Sequence, residues 1–414
     1  MIGMRQNRVC SMPLMESVEK THSIADAIAA KEYDKAMGLR GASFRAMLDI
    51  YLKMTNMVRM PEEKSGKKLR LAVLNSSWPA PGMNPAIRAA LRWGIDNGHT
   101  MFGIKNGIEG LVNGDFKEMQ WMDVEGCEAV GGTILGTNRK LPEGSDFYKM
   151  ASNLEKNRID GILMIGGWTG YKAIYDIYSR RREFPIFKIP MVCLPASINN
   201  NLPGCELSVG CDTALNSIVE AVDKIKHSAD SSKRVFIVEV MGRYCGYLAL
   251  MSGLATGAEG IYLNEDKIRL ADLQRDTQTL IKAFSGGRDT ALIIRNEKVN
   301  RTYTAEFMAA LFGEESNKLF DVRKAILGPM QQGGNPSPFD RLQATKMAVD
   351  CMEYLIECGI DSRDDAVFLG MSDGKACFHP MEKLPKMISE KHQRPHDQWW
   401  MALRPIIKDL ASRN

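Results

Sequence analysis

The chain has 414 residues, 44% of them hydrophobic, which suffices for a large core and, by size, for two lobes or domains. Its 54 basic and 50 acidic side chains leave a formal charge of +4, too near balance to point to nucleic acid or a membrane surface, so any anion site must be local. Residues 1–17 lack a continuous apolar signal core and no apolar run of about 18 residues occurs, so a soluble, cytoplasmic protein is expected, with its nine scattered cysteines reduced.

Residues 1–67 read as a helical segment: 15–30 and 31–57 carry apolar residues at three- and four-residue spacing, interrupted by Gly38 and Gly41. The polar stretch 61–67, punctuated by Pro61 and Gly66, reads as a linker. A β-loop-α opening follows, with a strand over 69–75, a turn over 76–82 and an amphipathic helix over 83–97. A second unit has a strand over 161–165, the turn Gly166-Gly167-Trp168-Thr169-Gly170, and a helix over 171–182. Strands are also expected over 191–194, 234–240 and 290–297, a long helix over 340–358, and a last helix over 397–411. Alternating strands and helices imply an α/β fold with mainly parallel sheets flanked by helices.

Four features could carry chemistry. Ser197-Ile198-Asn199-Asn200-Asn201 follows the strand at 191–194, where open α/β sheets bind ligands. Amides and a hydroxyl can orient phosphate or sugar oxygens, but amides cannot take up a proton or neutralise a metal as carboxylates do. The glycine-rich turns at 76–82 and 166–170 are poor phosphate cradles, because Trp78, Pro79 and Trp168 stand where close backbone approach is needed. Arg139, Arg234 and Arg323 lie near expected loop ends, with Arg323 placed before a strand, and arginine forks suit phosphate oxygens. The strand-to-helix turn Met241-Gly242-Arg243 offers a further close approach to backbone.

From about Leu69 to Ala411 the chain resembles ATP-dependent 6-phosphofructokinase, and most closely the C-terminal regulatory half of the tandem eukaryotic enzyme. The resemblance rests on Pro81-Gly82-Met83-Asn84, Ser208 to Asn216, Met241 to Gly246, Arg295-Asn296-Glu297-Lys298, Met330 to Gly334, Pro338-Phe339-Asp340-Arg341 and Gln398-Trp399-Trp400. Residues 11–46 are similar to the segment joining the two halves of that enzyme. It implies two lobes after the connecting segment 1–67: a larger, former nucleotide-side lobe over 68–210 and 331–388, and a smaller sugar-phosphate lobe over 211–330 and 389–414.

The position of the family's aspartate base is Asn199 here, with Asn201 replacing a second aspartate. The position of an aspartate that helps hold magnesium is Trp168, and the ATP loop corresponds to Ser77-Trp78-Pro79. Losing a general base alone typically costs about 10²–10⁴-fold in rate. The resemblance therefore implies a chain with no retained catalytic residue and no metal site, silent alone, with Mg and ATP belonging to the full glycolytic enzyme. It also implies a receptor for the activator fructose 2,6-bisphosphate, built from Arg139, Ser197, Ile198, Asn199, Asn200, Asn201, Met241, Gly242, Arg243, Glu297, Pro329, Met330, Gln331 and Gln332. Arg234 and Arg323 would come from a neighbouring subunit. Pro329 replaces the usual phosphate-binding histidine, and Gln393 the usual arginine, unless Arg394 takes that role by a one-residue slip. The partners implied are a catalytic half and further subunits, in a tetramer of full-length chains. An active phosphofructokinase and a non-binding structural subunit are the alternatives.

Overall fold

In the computed structural model the described residues are 22–27, 29–40, 66–228, 233–372 and 374–406. The chain divides into two compact units, Met1–Gly66 and Lys67–Asn414. In the first, residues 22–27 are helical and helix α1 spans Tyr33–Arg40, the chain passing between them through Lys31 at φ 60. The rest of the helical pattern expected over 15–57, and most of the linker, lie outside the described residues.

The second unit holds two main sheets. Strands β1 (Arg70–Ser76), β2 (Thr100–Ile104), β3 (Phe116–Glu118), β4 (Gly161–Gly166), β5 (Met191–Pro195), β10 (Ala366–Ser372) and β11 (Lys375–Pro380) form a seven-stranded sheet in the order β11-β10-β5-β4-β1-β2-β3. Its five central strands are parallel, and antiparallel β3 and β11 close the two edges. The second sheet, β7 (Gly260–Tyr262), β8 (Thr290–Asn296), β6 (Arg234–Val240) and β9 (Asp321–Ile326) in that order, is parallel throughout.

Strand periodicity explains how each sheet is covered on both faces. Leu71, Val73, Leu163, Ile165, Val192 and Leu194 enter one core with helix α2 (Met83–Asp96) and Met347, Cys351 and Leu355 of the long helix Pro338–Ile360. Ala72, Leu74, Ile162, Met164, Met191 and Cys193 point the other way, against α3 (Gly107–Asn113), α4 (Asp146–Asn157) and α5 (Trp168–Ser179). In the second sheet, Phe236, Val238, Leu292 and Ile294 join the first of these cores with α6 (Cys211–His227) and α7 (Tyr247–Thr256). Val235, Ile237, Ala291 and Ile293 pack under α8 (Leu270–Ser285) and α9 (Ala305–Glu315). The helix Pro338–Ile360, α10, is fixed at its start by buried Asp340, which accepts from the backbone N–H groups of Gly210 and Thr213, both at 2.8 Å.

Three local expectations are corrected. Helix α5 begins at Trp168, because Trp168, Thr169 and Gly170 form its first turn after the N-cap Gly167; the glycines that suggested a turn hid the start. Arg323 lies inside β9, opposite Phe236, and does not precede the strand. The expected helix over 397–411 is instead a 3₁₀ segment, Trp399–Leu403, followed by helical residues 404–406, with the remainder outside the described residues. Trp400 is buried edge-on against Tyr247, Trp399 donates its indole N–H to the Glu206 carbonyl at 2.9 Å, and Pro405 supplies no N–H for a continuing ladder.

Candidate functional site

A cavity of about 520 Å³ opens at the carboxyl ends of β1, β4 and β5. The end of β1 delivers Ser77, Trp78 and Pro79; the end of β4 runs into α5 and delivers Trp168, Thr169 and Lys172; the end of β5 delivers Ser197, Ile198, Asn199 and Asn201. Arg139 and Leu141 enter from the loop before α4, Arg243 from the loop after β6, Gln332 from the turn before α10. Glu390 and Gln393 enter from a small hairpin of β12 (Ile388–Ser389) and β13 (Arg394–Pro395).

Hydrogen bonds tie these loops to one another. The Ser77 N–H donates to the Asn138 carbonyl and the Thr137 hydroxyl to the Ser77 carbonyl, both at 2.8 Å, so the loops bearing Trp78 and Arg139 run side by side. Asn201 donates to the Gln393 carbonyl at 2.8 Å and shares a 3.1 Å bond with Ser197, joining the β5 loop to the hairpin. Lys172 reaches Glu390 at 3.2 Å across the cavity wall. The guanidinium of Arg139 lies over the Trp78 ring, 4.1 Å from its centroid. Neither the Arg139 nor the Arg243 guanidinium has a hydrogen bond or ion pair among the described residues, which leaves two arginine forks in one cavity with no protein acceptor.

The structure therefore brings together Arg139, Ser197, Ile198, Asn199, Asn201, Arg243, Gln332 and Gln393 of the residues expected from sequence. Others of that set hold the walls. Asn200 points inward, donating to the Glu206 carbonyl at 2.7 Å and accepting from Ser208 N–H at 2.8 Å. Glu297 accepts the Arg243 backbone N–H at 2.9 Å. Buried Gln331 accepts from Met241 N–H at 3.1 Å and donates to the Gly328 carbonyl at 2.9 Å. Gly242 sits at φ 125, where a Cβ would stand 2.4 Å from the Cys245 carbonyl oxygen, so no other residue fits. Pro329 and Met330 belong to the 3₁₀ turn Gly328–Gln331, outside the cavity.

Arg394 does not line the cavity, whereas Gln393 does. Its guanidinium is committed to Glu265 at 2.9 Å, Asn264 at 3.0 Å and the Tyr244 carbonyl. Arg234 and Arg323 lie elsewhere, together lining a second cavity of about 380 Å³ with Ser228, Phe236, Val238 and Ala325. The register of β6 against β9 explains the pairing: Phe236 is opposite Arg323 and Val238 opposite Ala325, so 234, 236, 238, 323 and 325 share one face.

Lys172 and Glu390 were missed in the sequence. Lys172 stands one helical turn after Trp168, on the same face, a signal concealed by starting α5 three residues late. Glu390 is the only carboxylate among the residues lining the cavity. No group of three or more His, Cys, Asp or Glu residues that could hold a metal occurs among the described residues, and Trp78, Pro79 and Trp168 line one end of the cavity. No helix among the described residues is long and apolar enough to cross a membrane.

Two sheets with an arginine- and amide-lined cavity at the carboxyl ends of parallel strands define an α/β protein suited to a small anionic ligand. The phosphofructokinase family model matches residues 70–355, and the chain belongs to that family. It is 40% identical over 421 aligned residues to the platelet-type ATP-dependent 6-phosphofructokinase of Rattus norvegicus, covering 99% of this chain and 53% of the relative. The ATP-dependent 6-phosphofructokinase of Dictyostelium discoideum is likewise 40% identical, with 99% and 49% covered. The phosphofructokinase structure from Saccharomyces cerevisiae superposes with a TM-score of 0.81 at 34% identity, over 97% of this chain and 55% of that one. The chain thus spans about half the length of the relatives it matches.

Proposed function

We propose that the chain is the regulatory half of an ATP-dependent 6-phosphofructokinase, a receptor for fructose 2,6-bisphosphate that performs no phosphoryl transfer by itself. The observation that carries this is the charge of the cavity: Arg139 and Arg243 lack protein acceptors, while the one carboxylate, Glu390, is bonded to Lys172. Arginine forks neutralise phosphate, and the amides of Asn199, Asn201, Gln332 and Gln393 read sugar hydroxyls. With Asn199 in place of an aspartate, nothing on that loop takes a proton from a sugar hydroxyl, and the tryptophan-lined end offers no seat for nucleotide and metal. Mg and ATP then bind in the catalytic half of the full cytoplasmic, glycolytic enzyme.

On this reading 68–210 with 331–388 and 211–330 with 389–414 act as larger and smaller lobes around the effector. Arg234 and Arg323, grouped on one sheet face, complete the site of a neighbouring subunit in a tetramer of full-length chains. Activation follows if the effector binds one quaternary state more tightly than the other.

Calorimetric titration of the chain with fructose 2,6-bisphosphate, alongside fructose 6-phosphate with Mg-ATP, tests the proposal. Saturable bisphosphate binding, weakened about 10- to 100-fold in Arg139→Ala, with no transfer in the parallel sample, is expected. Turnover in that sample would establish an active enzyme instead. A folded chain that binds neither ligand would be a structural subunit.

A further inference from the structure

We propose that Trp78 is a positioning residue for the anion site, its indole carrying Arg139 so that the guanidinium faces the cavity ready for a phosphate. This rests on the effector reading of the cavity. Trp78 is 45% exposed, so burial in the core does not account for a bulky indole at the end of β1. What it contacts is the Arg139 cation, over its ring at 4.1 Å. That pairing is built by the backbone. The bond from Ser77 N–H to the Asn138 carbonyl sets those two residues side by side, and the next residue of each loop is Trp78 and Arg139. Pro79 then fixes the chain leaving Trp78.

An arginine with no hydrogen-bonded partner would otherwise sample many rotamers and lose that freedom on binding phosphate. The ring face restricts the side chain without consuming any N–H donor, since a cation–π contact uses the charge and leaves the hydrogen-bonding edge for an anion. A carboxylate in the same position would restrict it equally but compete with the ligand.

The test uses the whole chain with Trp78→Phe, Trp78→Leu, Arg139→Met and the Trp78→Leu/Arg139→Met double variant, titrated with fructose 2,6-bisphosphate and, separately, inorganic phosphate. Trp78→Leu should weaken both ligands by a similar factor, about two- to fivefold. Trp78→Phe should recover most of that loss, and Trp78→Leu should add nothing in the Arg139→Met background. A loss that persists without Arg139, or that phenylalanine does not recover, would show that the indole acts by packing. Tighter binding in Trp78→Leu would show that it sequesters the arginine.

If the parent chain binds neither ligand, the effector reading fails, and the positioning role is decided in the free protein. The Arg139 side-chain N–H signal, assigned by its absence in Arg139→Met, should be ring-current shifted in the parent and in Trp78→Phe. It should revert to an ordinary arginine position in Trp78→Leu. An unchanged signal in Trp78→Leu overturns the proposal.

Discussion

Arg394→Ala tests how the hairpin bearing Glu390 and Gln393 is held. The Arg394 side chain is 15% exposed and that of its partner Glu265 only 7%; the guanidinium also reaches Asn264 and the Tyr244 carbonyl. Burial raises the Glu265 carboxyl above its ordinary value, and Arg394 is the largest influence pulling it back down, assisted by Gly246 N–H and Gln398. Truncating the arginine leaves a buried carboxylate without its counter-ion, which costs on the order of 3–5 kcal/mol. The sign of the pH dependence follows. A carboxyl whose folded value lies above its unfolded one favours the folded state most when protonated, and that contribution is lost as pH rises through the folded value. Without Arg394 the folded value climbs further, so the variant's deficit should be larger at pH 8 than at pH 5. Urea denaturation at both pH values measures it, and Arg394→Ala/Glu265→Gln should recover much of the loss at pH 8 by removing the stranded charge. A deficit below about 1 kcal/mol, or one equal at both pH values, would refute the reasoning.

Further outcomes can be checked independently. Ser77 holds φ 111, a conformation that costs a non-glycine residue about 1–3 kcal/mol, so Ser77→Gly should leave stability unchanged or raise it by up to about 1 kcal/mol in denaturant titration, where an ordinary loop glycine lowers it. Cys377 is the one exposed cysteine among those described, while burial pushes Cys127 up to about 11 and Cys245 up to about 12; alkylation at pH 8 followed by mass spectrometry should label Cys377 ahead of the other described cysteines and leave Cys127 and Cys245 unlabelled until unfolding. Asp340→Asn should destabilise by about 1–3 kcal/mol, because an amide cannot accept on both sides from Gly210 and Thr213; an unchanged urea midpoint would argue against that role.

Much of the fold was legible because buried parallel strands announce themselves as short apolar runs: β1, β4, β5, β6 and β8 were placed to within a residue or two. The edge strand β9 was not, since its sequence Asp321–Ile326 is largely exposed and charged and gains its structure from pairing with β6. In the cavity, the amides after β5 and Arg139 were found from position and residue type. The Lys172–Glu390 bridge joins residues 218 positions apart, a relation that spacing does not encode.

The cavity's shape was least visible, and its strain shows why. Ser77, Arg243 and Gln393 line it with backbones at φ 111, 50 and 48, and Asn200, between two lining residues, stands at φ 47. None is glycine, so apart from Asn200, an amide residue that tolerates the left-handed region, no sequence rule marks these positions as left-handed. Three are held by a bond from another part of the chain, Ser77 N–H by Asn138, Arg243 N–H by Glu297 and the Gln393 carbonyl by Asn201, while Asn200 is held within its own loop by Glu206 and Ser208. Long-range and local bonds converge on one volume, so the walls are set before any ligand arrives. Walls fixed in this way spare an anionic ligand the cost of ordering loops around itself, which favours affinity over adaptability at this site.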